Sequence, residues 1–318
     1  MPDRVSNPGV EPTGPLVEVD DPTDSRLDDY RHLNDPAGRR QFEADRSIFV
    51  VEGKLAVGRL LGSQYKVKSL LIDDHQVHSA AELVAATRAT GAPVYVGSRS
   101  VVEGTVGFTL HRGVVAVAHR PDPADHVAVL ADAAAAQRTD GRPVLLAVLE
   151  GLNDHENIGA LFRNAAALGV AAVLLDPTCA DPLYRRSVRV SMGHVLRVPF
   201  ARTAPWPDSL EQIKAAGFVV AALAPDLGAA GPGGAPGITL SELGSWLSSW
   251  SQSSDGSRPG AAGRLWGVAV LLGGEGPGLS EGALAGADVV VSIPMFDGAD
   301  SLNVATAAAV AFHTIMNP

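Results

Sequence analysis

Two stretches near the C-terminal end of this 318-residue chain carry residue types able to hold an organic ligand through the main chain. Residues 273 to 278 read GGEGPG, and glycines let the backbone approach a ligand closely. Residues 292 to 303 read SIPMFDGADSLN, an apolar strand end stopped by Pro294, with Ser301 and Asn303 at the start of a helix. Two such loops so close together have the form of a cofactor cradle. A third segment holds Asn157 and, six positions on, Arg163, in a run otherwise rich in Ala, Leu and Phe. An arginine in an apolar helix calls for an anionic or polar partner. Each feature also has a plainer account, glycines as simple turn positions and Arg163 extending to solvent. The glycines do not form a dinucleotide fingerprint, because Leu279 stands where a further glycine is needed.

The elements that must position these residues follow from patterning. Trp266 to Leu272 and Asp288 to Ile293 have the length and β-branched content of buried strands. Ser280 precedes Glu281 and an Ala/Leu stretch, the pattern of a helix N-cap, and Ser301 to Met316 is predicted as a helix. Val144 to Leu175 alternates apolar strand, polar loop, helix, small-residue turn and strand, which is a βαβ unit.

The segments NIGALFRNAAALGV (157 to 170), LLGGEGPGLS (271 to 280) and SIPMFDGADSLNVATAAAVAFH (292 to 313) resemble, in order and spacing, the three motifs of the SpoU (TrmH-like) RNA ribose 2'-O-methyltransferases. The stretch from Asp176 to Phe200 resembles that family's segment between the first two motifs. The resemblance covers residues 144 to 316. It implies an α/β fold whose C-terminal methyltransferase domain is an α/β trefoil knot of the SPOUT type, an exception to the rule that chains do not thread their own loops. It also implies S-adenosyl-L-methionine as methyl donor, a transfer RNA or ribosomal RNA substrate, and a homodimer.

Carried over by position, the resemblance places the cofactor on Gly273, Gly274, Glu275, Gly276, Ile293, Pro294, Met295, Ser301, Leu302 and Asn303. It places the polar active site on Asn157, Arg163, Glu275, Ser301 and Asn303. The family role of the arginine is that of a base toward the ribose hydroxyl. A guanidinium stays charged below about pH 12, so holding the ribose and phosphate while stabilising a developing alkoxide suits it better. A noncatalytic RNA-binding or assembly protein on the same knotted scaffold is the alternative, and retention of all five polar residues favours the enzyme.

Residues 47 to 120 alternate apolar strands with helical stretches and predict a small α/β domain. VEGKLAVGRLL within it resembles the ribosomal-protein-like substrate-binding domain that precedes the knotted domain in many family members. Domain boundaries are expected at 29–125 for this RNA reader and 140–318 for the methyltransferase. Residues 36 to 120 carry net charge +4, against −6 before and −8 after, so the RNA reader is the one basic segment of a chain at −10. Lys54, Arg59, Lys66 and Lys68 are its candidate RNA contacts. Arg185, Arg186, Arg189, Arg197 and Arg202 form a second basic group, with Arg185 and Arg189 on one helical face, where an ion-paired surface helix is the rival account.

Residues 1 to 28, acidic and Pro-rich, are expected to form a disordered tail without signal-peptide character. Residues 228 to 264 read as a Gly/Pro/Ser-rich insertion between two strands, dispensable for cofactor binding, with Trp246 and Trp250 packing on the domain. Cys179 is the one cysteine, so no disulfide within the chain is possible, and His75 and His78 lack a third ligand, so no metal is expected. No apolar run reaches the roughly 18 residues of a membrane span, and the cytoplasm is the expected compartment.

Overall fold

The computed structural model describes residues 13–110, 113–136, 143–225, 231–253, 267–296 and 301–317. The chain divides into two compact units: Met1–Pro121 with Leu183–Leu196, and Asp122–Pro182 with Arg197–Pro318. The segment 183–196, expected within the methyltransferase domain, therefore belongs to the first unit.

The first unit contains β1 (Leu16–Val19), α1 (Pro36–Arg46), β2 (Ile48–Glu52), α2 (Lys54–Leu61), β3 (Val67–Asp73), α3 (Ala81–Ala89), β4 (Val94–Gly97), α4 (Arg99–Val106) and β5 (Val114–His119). Its five-stranded sheet runs β1-β4-β3-β5-β2, parallel on one side and antiparallel on the other. The tail expected over 1–28 is corrected for its second half. Leu16–Val19 adds an edge strand to β4, and a turn over Ser25–Tyr30, capped by Asp24, buries Leu27 and Tyr30. Burying two large side chains stabilises by roughly 3–6 kcal/mol on area grounds, which offsets ordering a short segment rich in Asp and Pro. Residues 1–12 lie outside the described residues.

The second unit contains α5 (His126–Ala135), β6 (Val144–Glu150), α6 (His155–Leu168) and β7 (Ala172–Leu175). After α7 (Arg185–Val190), which lies in the first unit, it continues with β8 (Phe200–Arg202), α8 (Ser209–Ala215), β9 (Phe218–Leu223), β10 (Gly237–Thr239), α9 (Leu243–Ser253), β11 (Gly267–Gly273), α10 (Glu281–Ala285), β12 (Val289–Ser292) and α11 (Val304–Met316). Seven strands pair in the order β10-β12-β9-β11-β6-β7-β8, and every pairing is parallel. A parallel sheet covered by helices buries both faces, which is why β6 reads VLLAVLE with all seven residues buried. The strand order turns back between β6 and β11, and open α/β sheets bind ligands outside the carboxyl ends of strands at such a reversal.

The insertion expected over 228–264 is not a bare linker. Gly237–Thr239 forms the edge strand β10 against β12, and Thr239 with Glu242 forms a capping box at the turn into α9. Leu240, Leu243 and Leu247 are buried. Trp246 and Trp250 stack on each other with ring centroids 6.0 Å apart.

Candidate functional site

Because all seven strands run the same way, the loops leaving β9, β10, β11 and β12 emerge on one edge of the sheet. They enclose a cavity of about 1000 Å³. The β11 loop supplies Gly273, Gly274, Glu275, Gly276 and Gly278, the β12 loop Ile293, Pro294 and Met295, and the approach to α11 Ser301, Leu302 and Asn303. Every residue expected to bind the cofactor lines this cavity.

The glycines serve two physical ends. Gly276 and Gly278 have φ of 93° and 67°, the left-handed region that favours glycine. Gly273 and Gly274 are needed for close approach, since a Cβ on the first would strike the backbone at Gly278 and on the second the carbonyl of Gly151. Ile293 and Leu302 add apolar wall, and Leu302 keeps 38% of its surface exposed.

Sequence reasoning missed several lining residues. Leu223, Ala224 and Pro225 come from the end of β9, and Thr239 comes from β10. The missed signals were the apolar run of β9 ending before Pro225, and the spacing Thr239 to Glu242 that marks a strand-to-helix turn.

At the rim, three of the five expected active-site residues meet. Asn157, in the first turn of α6, donates through Nδ2 to Glu275 Oε1 at 2.9 Å. Asn303 Nδ2 donates to Asn157 Oδ1 at 2.8 Å and to Glu275 Oε1 at 3.1 Å. Asn303 Oδ1 caps α11 by accepting from the amides of Ala305 and Thr306. Both amides thus have fixed donor and acceptor ends, and the carboxylate is held between them. Asn164 Nδ2 donates to the Ala305 carbonyl at 2.8 Å, tying α6 to α11.

The other two stand apart from that cluster. Ser301 lines the cavity with no side-chain bond to the three. Arg163 lies on the exposed face of α6 and makes no hydrogen bond or ion pair among the described residues. Six positions beyond Asn157 on a helix, it projects away from the Asn157 side by about 120° on helical geometry.

Cys179 is no nucleophile here. It is buried, and burial followed by the neighbouring Asp176 carboxylate pushes its thiol up to about 12. Burial also works to raise Asp176, yet hydrogen bonds from Thr178, Cys179 and Gly151 outweigh it and bring the carboxyl below its ordinary value. Arg202 donates to the carbonyls of Asp176 and Cys179, a structural brace in place of a phosphate contact.

The expected RNA contacts divide sharply. Lys54 donates to Ser79 Oγ, Arg59 to the Met192 carbonyl, and Lys68 pairs with Asp29 at 2.6 Å. Lys66 is exposed and makes no ion pair among the described residues. Arg185 pairs with Glu52 at 3.3 Å, donates to the Leu33 carbonyl and lies over the Phe108 ring at 4.8 Å, while Arg189 faces the same Glu52 at 4.0 Å. Burial lowers the Arg185 guanidinium from its usual value despite the Glu52 charge. Arg185 thus has the ion-paired arrangement that was the rival account for this group; Arg186 is exposed and also has an interaction within the chain.

Asp73, Asp74 and His75 bring three ligand atoms within 4.8 Å of one another, without His78. No helix among the described residues is long and apolar enough to cross a membrane.

Known proteins resemble the chain over nearly its full length. A protein of Mycobacterium bovis named an uncharacterized tRNA/rRNA methyltransferase is 42% identical over 299 residues, covering 94% of this chain and 91% of the relative. The 23S rRNA (guanosine(2553)-2'-O)-methyltransferase RlmP of Bacillus subtilis is 25% identical, covering 93% of this chain and 97% of its own. An AdoMet-bound rRNA methyltransferase from Sinorhizobium meliloti superposes with a TM-score of 0.68 at 25% identity, covering 94% and 97% of the two chains. Residues 144–313 match the model of the SpoU rRNA methylase family. With the cavity at the carboxyl edge of the parallel sheet and the three motifs meeting at its rim, the chain belongs to the SpoU rRNA methylase family.

Proposed function

We propose that this protein methylates a ribose 2'-hydroxyl of RNA, with S-adenosyl-L-methionine as donor in the cavity at the ends of β9 to β12. The observation that carries the reading is the convergence of all ten expected cofactor residues on one cavity, with Asn157, Glu275 and Asn303 joined at its rim. The cavity suits such a ligand, since its volume is that of a small-molecule site and its lining sets the main chain of a glycine-rich turn beside the apolar side chains of Ile293, Met295 and Leu302. S-adenosylmethionine, when bound, supplies a methyl group on a sulfonium centre. Main-chain groups of Gly273, Gly276, Ile293 and Met295 would hold it, while Ile293 and Leu302 pack on its adenine.

Methyl transfer needs the ribose hydroxyl in line with the methyl group and relieved of its proton as attack proceeds. Glu275, fixed by two amides, orients the polar rim. Arg163 meets the ribose and adjacent phosphate and stabilises the growing negative charge on oxygen. Since Arg163 stands on the exposed face of α6 and away from the rim cluster, we infer a homodimer in which the residue is brought to an RNA-bearing site by a second copy of the chain. We further infer that the 273–280 loop, Ile293 to Met295 and α11 belong to the family's trefoil knot, that the first unit is the substrate reader, and that ribosomal RNA is the substrate, as for the relative from B. subtilis.

Calorimetry with S-adenosylmethionine and with NAD, both without metal, tests the donor: S-adenosylmethionine is expected to bind more tightly, and the reverse order ends the reading. Mapping 2'-O-methyl positions in total RNA with and without the gene then identifies the nucleotide. No missing methyl group in the deletion strain leaves the noncatalytic scaffold as the better account.

A further inference from the structure

Glu150, the last residue of β6, is only 8% exposed, and among the described residues its carboxylate has donors around it but no cation. Oε1 accepts from Trp206 Nε1 at 2.6 Å and from Ser280 Oγ at 2.7 Å, and Oε2 accepts from the Ser280 amide at 2.8 Å. Burying a charged carboxylate is strongly unfavourable unless hydrogen bonds replace its water, so the position carries a constraint that an apolar corner residue would not.

The place of those bonds gives the constraint its meaning. In the parallel ladder Glu150 is the register partner of Gly273, where the β11 loop begins. Its side chain grips Ser280, where the same loop ends and α10 starts. Between these points Gly278 donates to the Gly274 carbonyl, and Gly274 packs against the carbonyl of Gly151, the residue after Glu150. One residue thus holds both ends of the loop, leaving Glu275 to Pro277 to project toward the rim.

We propose that Glu150 is a positioning residue that holds the 273–280 loop in its ligand-receiving form, acting through Ser280 and without touching the ligand. The link from this loop to affinity rests on the reading of the cavity as the S-adenosylmethionine site; the hold on the loop itself does not. Glu150→Gln keeps the shape, but in either orientation its amide N–H₂ faces the Trp206 indole N–H or the Ser280 backbone N–H, neither of which can accept, so at least one contact must break. Ser280→Ala removes the hydroxyl link and the α10 cap, while Ser280→Thr keeps both.

The test compares the full-length wild type with Glu150→Gln, Ser280→Ala and Ser280→Thr. Amide hydrogen exchange of 274–280 without ligand, Kd for S-adenosylmethionine by calorimetry, turnover at saturating donor and melting temperature are measured together. In Glu150→Gln loop exchange is expected to rise about tenfold or more and Kd to rise about tenfold, with saturated turnover within threefold of wild type. Ser280→Ala should move the same way and Ser280→Thr should stay near wild type. A lowered melting temperature with unchanged loop exchange and Kd would make Glu150 an ordinary core residue and overturn the proposal. If Glu150→Gln does not fold, the Ser280 pair decides, and equal loop exchange in Ala and Thr variants overturns it. A wild type that does not bind S-adenosylmethionine defeats the donor reading, whereas loop exchange still decides the hold.

Discussion

Two clusters built around a glutamate show how similar residue types come to different ends. At the cavity rim Glu275 is exposed and, among the described residues, its carboxylate is bonded to the side-chain amides of Asn157 and Asn303, drawn from residues 118 and 28 positions away. In the first unit Glu52 is met by the guanidinium groups of Arg185 and Arg189, with Arg185 mostly buried over Phe108. Amides orient a carboxylate without cancelling its charge, so the rim keeps an exposed anion at a fixed place. The paired arginines satisfy Glu52 and leave little field for a ligand. An exposed carboxylate held by neutral amides beside a cavity therefore keeps its charge toward a ligand, whereas arginines that face a partly buried carboxylate are engaged within the fold.

The strongest test of that contrast is Arg163, an exposed cation with no ion pair among the described residues. Arg163→Ala should lower methyl transfer by roughly two to three powers of ten, about 3–4 kcal/mol of barrier, with donor affinity and melting temperature nearly unchanged. Arg163→Lys should also be poor, because it keeps the charge and loses the planar fork. Single-turnover methylation beside calorimetry reads this, and near-normal turnover in either variant would place Arg163 among the structural arginines.

Next in size is the segment expected to be dispensable. Replacing 229–262 by a short Gly/Ser linker removes Thr239 from the cavity wall, the β10 edge of the sheet and the buried Leu240, Leu243 and Leu247. Losing one buried leucine costs about 2–5 kcal/mol where a cavity remains, so the variant should melt at least several degrees lower and bind S-adenosylmethionine at least tenfold more weakly. Retained affinity would return the segment to the status of a linker.

A smaller effect, and of a different kind, is expected at Arg185. Arg185→Ala leaves Glu52 in a partly buried position with only Arg189 at 4.0 Å, and should destabilise by about 1–3 kcal/mol in urea unfolding. The salt dependence of RNA binding should not change, since a residue committed to Glu52 releases no counterion on binding RNA. A shallower salt slope in this variant would restore Arg185 to the RNA interface.

The legible part of the molecule was the part in which chemistry and local structure share the same residues. Glycines 273 to 278, Pro294 and Asn303 stop strands and start helices, and the same positions form the cavity, so their order along the chain carried both messages. The β strands over 144–150 and 289–292 were visible as apolar runs, and Ser280 was visible as a cap. Three things were not visible. β1 is four residues long and lies in an acidic stretch, and its stability comes from β4, some 78 positions away. β10 is three residues of an edge strand in Gly- and Pro-rich surroundings, where composition suggests a linker. The partners of the cations were invisible because charge pairing is tertiary, and a helical face tells where Arg185 and Arg189 point but not that Glu52 stands opposite.

The finest test of the contrast lies within the first unit, between two lysines two positions apart. Lys68 is held by Asp29, which Arg46 also contacts, and burial working to raise that carboxyl is outweighed by these two hydrogen-bonded cations. Lys66 is exposed, with no such partner among the described residues. If free cations read RNA and engaged ones hold the fold, Lys66→Ala should weaken binding of a methylatable rRNA transcript a few fold and reduce the magnitude of its log–log salt slope by roughly 0.7–0.9, the loss of one phosphate contact. Lys68→Ala should leave the slope unchanged and lower stability by about 1 kcal/mol or less, because the pair is partly exposed and screened. The sign of the acid dependence separates them further. The Asp29 carboxyl lies below its usual value in the folded protein, so the stability it contributes is present above the ordinary carboxylate range and is lost as pH falls through its own titration. Lys68→Ala should therefore flatten the acid limb of stability while Lys66→Ala leaves it as it is. A larger salt-slope change in Lys68→Ala than in Lys66→Ala would mean that the Asp29 pair opens to receive RNA, and engagement in the free protein would no longer mark a cation as structural.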